Sequence, residues 1–101
     1  PRYRTRPVAP EVIEARQFVP PPPPRSPESW ARVAEALAEW CEGDWTPPFL
    51  PGYGPVVGSR TPEGYKDCQP GQWIVRYRGG TFGVLSDFDF QRIYEPIPEE
   101  G

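Results

Sequence analysis

A chain of 101 residues, 37% of them apolar, has room for one hydrophobic core, and an aromatic share of 14% must supply much of it. A formal charge of −3 argues against a general nucleic-acid binder, which needs a basic footprint, and no apolar run is long enough to span a bilayer. With no histidine, two cysteines and no CxxC spacing, the chain lacks a Ser–His or Cys–His nucleophile pair and the ligands of a structural zinc site.

Neither G-x-x-x-x-G-K-[ST] nor G-x-G-x-x-G occurs, so phosphate cradling of those kinds is also missing. The expectation is therefore a chain with no cofactor and no enzymatic reaction. Cys41 and Cys68 read as two separate, part-buried thiols, with a disulfide between them as the less favoured alternative. The sequence starts at Pro1 and contains no Met, which reads as loss of an initiator Met and a cytoplasmic setting.

The opening segment, residues 1–10, is rich in arginine, with Tyr3 and Val8 as its apolar anchors. Glu11 to Val19 reads as a strand, placing Ile13, Ala15 and Val19 on one side and Glu14, Arg16 and Phe18 on the other. Pro20 to Pro24 is a five-proline run, expected as an extended polyproline II spacer, within a Pro-rich connection over 19–29.

Ser26 then supplies a helix N-cap, Pro27 fits N1 and Glu28 complements the positive end of the dipole. The predicted helix runs from about Pro27 to Cys41. Trp30, Val33, Ala34, Leu37 and Cys41 form its buried stripe, and Gly43 is its expected stop. On this reading Arg32, Glu35 and Glu39 are on the wet side, with Trp40 part exposed.

Residues 44–55 are irregular in pattern, and Trp45, Phe49 and Tyr53 are too apolar for a freely solvated loop. They read either as a lid on the core or as a contact surface. The remainder is a predicted β-meander. Val56–Thr61 and Tyr65–Gln69 are joined by the turn Pro62–Gly64. Gln72–Arg78 places Trp73, Val75 and Tyr77 on one face and Ile74, Arg76 and Arg78 on the other. A two-residue Gly79–Gly80 loop of the primed type then leads to Thr81–Leu85. Ser86 caps a short helical turn with Asp89 at N3, after which Phe88, Phe90, Ile93 and Tyr94 close the end of the sheet. The acidic stretch from Glu95 to Gly101 reads as a tail, most plainly over 98–101.

The two ends of the chain resemble a family of small phage and prophage proteins. Tyr3-Arg4-Thr5-Arg6-Pro7-Val8 with Ile13-Glu14-Ala15-Arg16-Gln17-Phe18 is similar to its YRxRPV and IEAxQW segments. Thr61 to Gly64, Pro70 to Arg76, Gly80 to Phe82, Phe90 and Tyr94 to Pro96 are similar to its TxEG, PGDWIIRG, GEF and YEP signature. Gln72 stands where the family usually has Asp, and Asp87 where it usually has Pro. The resemblance spans the first 18 and last 41 residues and implies a phage context and a fold that joins both ends, with no reaction attached.

The fold expected is α+β: one domain over 1–101, with one main helix on a curved, mostly antiparallel sheet of about five short strands. Two binding roles fit it. One is an accessory inhibitor or adaptor that contacts a host protein through Trp45, Phe49 and Tyr53. The other is an anti-defence, sponge-like binder of a small anionic ligand such as a nucleotide. In that role Arg76 and Arg78, with Arg2, Arg4, Arg6 and Arg16 close by, grip phosphate, and Tyr3, Trp73 or Tyr77 stacks on a base. A minor virion protein is a third role, and short edge strands leave room for a homo-oligomer.

Overall fold

The computed structural model describes residues 2–5, 12–47 and 54–96. Val8, Arg6, Phe49, Tyr53 and the 98–101 tail, all singled out above, lie outside them. The chain is α+β, but its strands form two sheets rather than one. The larger has the order β7–β6–β2–β1–β8, built from β1 (Arg2–Thr5), β2 (Val12–Gln17), β6 (Trp73–Arg76), β7 (Phe82–Leu85) and β8 (Tyr94–Pro96). The smaller has the order β3–β4–β5, built from β3 (Asp44–Thr46), β4 (Val56–Thr61) and β5 (Gly64–Cys68). Every pairing is antiparallel.

Three strands lie where none was expected. β1 falls in the Arg-rich opening segment, β3 in the stretch read as irregular, and β8 in the stretch read as the start of a tail. They are four, three and three residues long, too short to show an alternation. The expected junction of the chain ends is present: Glu14 faces Arg76 and Ala15 faces Val75 across β2 and β6, while Tyr3 faces Pro96 across β1 and β8.

Helix α1 spans Pro27–Trp40. Ser26 caps it by accepting from Ser29 N–H, and the Ser29 hydroxyl in turn accepts from Ser26 N–H, so two orphan donors are satisfied reciprocally. Its far end closes as a Schellman motif. Gly43 N–H donates to Ala38 C=O at 2.9 Å and Glu42 N–H to Glu39 C=O at 3.3 Å. The left-handed residue of this motif is Glu42 (φ 58°), not the expected Gly43. Gly43 is needed for a different reason: a Cβ there would fall 1.9 Å from the carbonyl oxygen of Gly58.

Several local readings need correction. Arg78 is not on β6 but in the exposed hairpin turn after it. That turn is closed by Gly80 N–H to Tyr77 C=O and Tyr77 N–H to Thr81 C=O, with only Gly80 at positive φ, so it is a three-residue loop rather than a primed two-residue one. The proline run bends at Pro23 and Pro24 instead of continuing straight, with Pro21 buried. Val19 and Phe88 are exposed, so neither belongs to the core. Helix α2 (Asp87–Ile93) is longer than the single turn expected, though its cap is as read, Ser86 accepting from Asp89 N–H.

The larger sheet carries a core on each face. One face holds Phe18, Ile74 and Phe82, packed with Ala34, Leu37, Ala38 and Cys41 of α1 and with Val57 and Cys68 of the smaller sheet. The other holds Ile13, Ala15, Trp73 and Val75, covered by Phe90 of α2 and by Tyr94. The strict alternation along β2 and β6 sends odd-numbered residues to α2 and even-numbered residues toward α1. That parity puts Glu14, Arg16 and Arg76 on the α1 side, where the helix ends and cover runs out.

Candidate functional site

The site grows from the end of α1 and the neighbouring parts of β2 and β6. Trp40 is the last residue of the helix and is half-buried, its ring edge-on to Phe82 at 5.8 Å between centroids. Two guanidinium groups lie over its indole, Arg16 at 5.0 Å and Arg76 at 4.8 Å from the ring centroid. Cation–π contacts of this kind contribute about 0.5–1 kcal/mol when exposed and more as water is excluded.

The two arginines are not equivalent. Arg76 is held: its Nη2 donates to the Trp40 carbonyl at 3.1 Å and its Nη1 pairs with Glu14 Oε1 at 3.3 Å. The last turn of α1 has no basic residue of its own, so Arg76 supplies the cation that the negative helix end favours. Arg16 is exposed and lies on Trp40 with no carboxylate within ion-pair distance among the described residues.

Beyond Trp40 the site continues as a groove of about 360 Å³ between β2 and α1, open to solvent and lined by Arg16, Gln17, Arg32, Val33, Ala36 and Leu37. Val33, Ala36, Leu37 and Trp40 follow i, i+3, i+4, i+7 spacing. Val33 and Leu37 lie in the buried stripe, and Ala36 and Trp40 widen it on this side. Arg32 is exposed at the far end and, like Arg16, has no acidic partner among the described residues. An apolar lining is thus joined by two guanidiniums without acidic partners among the described residues.

The structure brings Arg16 and Arg76 together as the sequence suggested and places Trp73 in the core on the other face of the sheet. Arg4 is placed by register opposite Val12 and Glu95. Trp73 is buried on the opposite face, stacked on Phe90 with centroids 3.8 Å apart and planes 7° apart, its indole N–H donating to Asp87 at 2.9 Å. It has no open ring face for a base. Trp45 is half-buried and lines a separate pocket of about 280 Å³ with Trp30, Pro47, Pro55 and Arg25. Trp40 and Arg32 were missed as site residues. The signal was present in Ala36 and Trp40, which extend the helix's apolar spacing past its core stripe.

Two titratable clusters lie elsewhere. Burial pushes the Cys41 thiol up and the Cys68 thiol up to about 12, and neither cysteine is in a disulfide. On the outer side of the smaller sheet the Tyr65 hydroxyl donates to the Asp44 carboxylate, which raises the phenol to about 12, while the ring lies over Gly58. Among the described residues no cluster of three or more metal-ligating side chains occurs, and no helix is long and apolar enough to cross a membrane. No family model, curated protein or solved structure matches the chain.

Proposed function

We propose that this chain is an accessory binding protein that acts without catalysis, contacting a protein partner through the groove between β2 and α1. The observation that supports this is the groove itself: an open lining of Val33, Ala36 and Leu37 with Arg32 and with Arg16, which also lies over Trp40, neither arginine having an acidic partner among the described residues. Sites for small ligands enclose most of the ligand's surface, whereas an open groove of mixed apolar and arginine character suits a segment of another protein. The resemblance of the chain ends to a phage family suggests that the partner is a host factor met in the bacterial cytoplasm.

A photo-crosslinking residue at Ala36 tests the reading. One discrete crosslinked product is expected from host lysate, lost on Trp40→Ala; labelling indifferent to Trp40→Ala would count against the groove. The convergence of Arg16 and Arg76 on one indole also favours a second reading, a small phosphate-bearing ligand at Trp40. In that case nucleotides would raise the melting temperature of the wild-type protein and leave that of Arg16→Gln unchanged.

A further inference from the structure

The chemistry of the partner segment follows from how charge is arranged around the groove. The chain carries a net charge of −3, so its overall field repels acidic partners. At the groove the local balance is reversed. Arg16 and Arg32 contribute two positive charges with no carboxylate within ion-pair distance among the described residues, although α1 itself bears Glu28, Glu35 and Glu39. The one carboxylate near the indole, Glu14, is already engaged by Arg76.

Arg16 is also pre-positioned. Its Cζ lies 5.0 Å from the centroid of the Trp40 indole, and a guanidinium anchored there carries a fork of donors that matches a carboxylate in a bidentate pair. Apart from Gln17, the rest of the groove's lining is aliphatic: Val33, Ala36 and Leu37.

Resting on the reading that this groove is the contact surface, we infer that its occupant is a short acidic segment of a partner protein, with an aliphatic side chain between two carboxylates. The aliphatic group seats on Val33, Ala36 and Leu37. One carboxylate pairs with Arg16 and the other with Arg32. Attraction is confined to the groove, so the complex is held by short-range contacts rather than by long-range steering.

A fluorescein-labelled peptide alternating glutamate with leucine, and its counterpart alternating glutamine with leucine, provide the test by anisotropy. The glutamate peptide should bind at least about ten times more tightly at low salt, the scale of one or two charge-assisted hydrogen bonds. Arg16→Gln and Arg32→Gln should each shrink that preference while far-UV circular dichroism stays unchanged. Equal affinity for both peptides, no binding of either, or a preference that survives both substitutions overturns the inference. The crosslink from Ala36 separates the two levels. If it still forms and still needs Trp40 while the peptides fail, the contact surface stands and the acidic chemistry falls; if it also fails, the surface falls too.

Discussion

The two faces of the five-stranded sheet use aromatic residues in opposite ways. On the α2 face, Tyr3, Trp73, Phe90 and Tyr94 pack on one another, with Tyr3 edge-on to both Trp73 and Phe90 and the one indole N–H satisfied by Asp87. Each ring there has found its partners within the chain. On the α1 face, Trp40 packs on Phe82 by one edge and meets arginines with its ring face, and beside it an apolar stripe is left open. Aromatic content alone therefore does not mark a binding surface. What marks one is an aromatic residue whose polar neighbours still have bonding capacity.

The sharpest way to break this contrast is to empty the sealed face. Phe90→Ala removes the ring that Trp73, Tyr3 and Tyr94 all touch and should cost about 3–5 kcal/mol, read as a lower denaturant midpoint. Asp87→Ala should cost less, about 1–3 kcal/mol, because the Trp73 N–H loses its acceptor and Gln17 and Gln91 lose theirs as well.

On the open face the effects should fall away. Arg76→Gln gives up the Glu14 pair and the bond to the helix end, with an expected loss of about 1 kcal/mol in the same measurement. Arg16→Gln should change stability by less than about 0.5 kcal/mol. A loss from Arg16→Gln as large as that from Asp87→Ala would make Arg16 a structural residue and remove the contrast.

A last difference appears only in alkali. Cys68 lies in the core under the α1 face, its thiol raised from an ordinary 9.0 to about 12 by burial. Between those values the unfolded chain releases a proton that the folded chain retains, so folding weakens as pH rises through this window. Tyr65 adds the same sign between 10.0 and about 12. Melting temperatures should therefore decline from about pH 9 upward, and Cys68→Ala should flatten the first part of that decline.

Much of the local structure was legible in the sequence because its causes are local. Ser26-Pro27 and Ser86 with Asp89 specify helix starts by the bonds their own side chains make, and both caps are present. The parity of Trp73, Val75 and Tyr77 against Ile74 and Arg76 was likewise readable from alternation. Hairpin partners were readable from their turns, but the division of the strands between two sheets was not. The run Val56–Thr61 fits either sheet equally well by pattern, and only long-range packing assigns it to the smaller one. The site was half legible for the same reason. Arg16 and Arg76 share a face by parity, but that Trp73 is buried under α2 while Trp40 stays half-buried is decided by tertiary packing.

The position of β1 between β2 and β8 has a consequence for how the chain is made. During synthesis the N-terminal strands emerge long before β6 and β8, the partners that flank them in the finished sheet. Until then β2 has one open edge and β1 another, each a row of unpaired amides and carbonyls beside apolar side chains. The five-stranded sheet is therefore completed only after β8 has emerged, and the nascent chain is most vulnerable to edge-to-edge association during that wait.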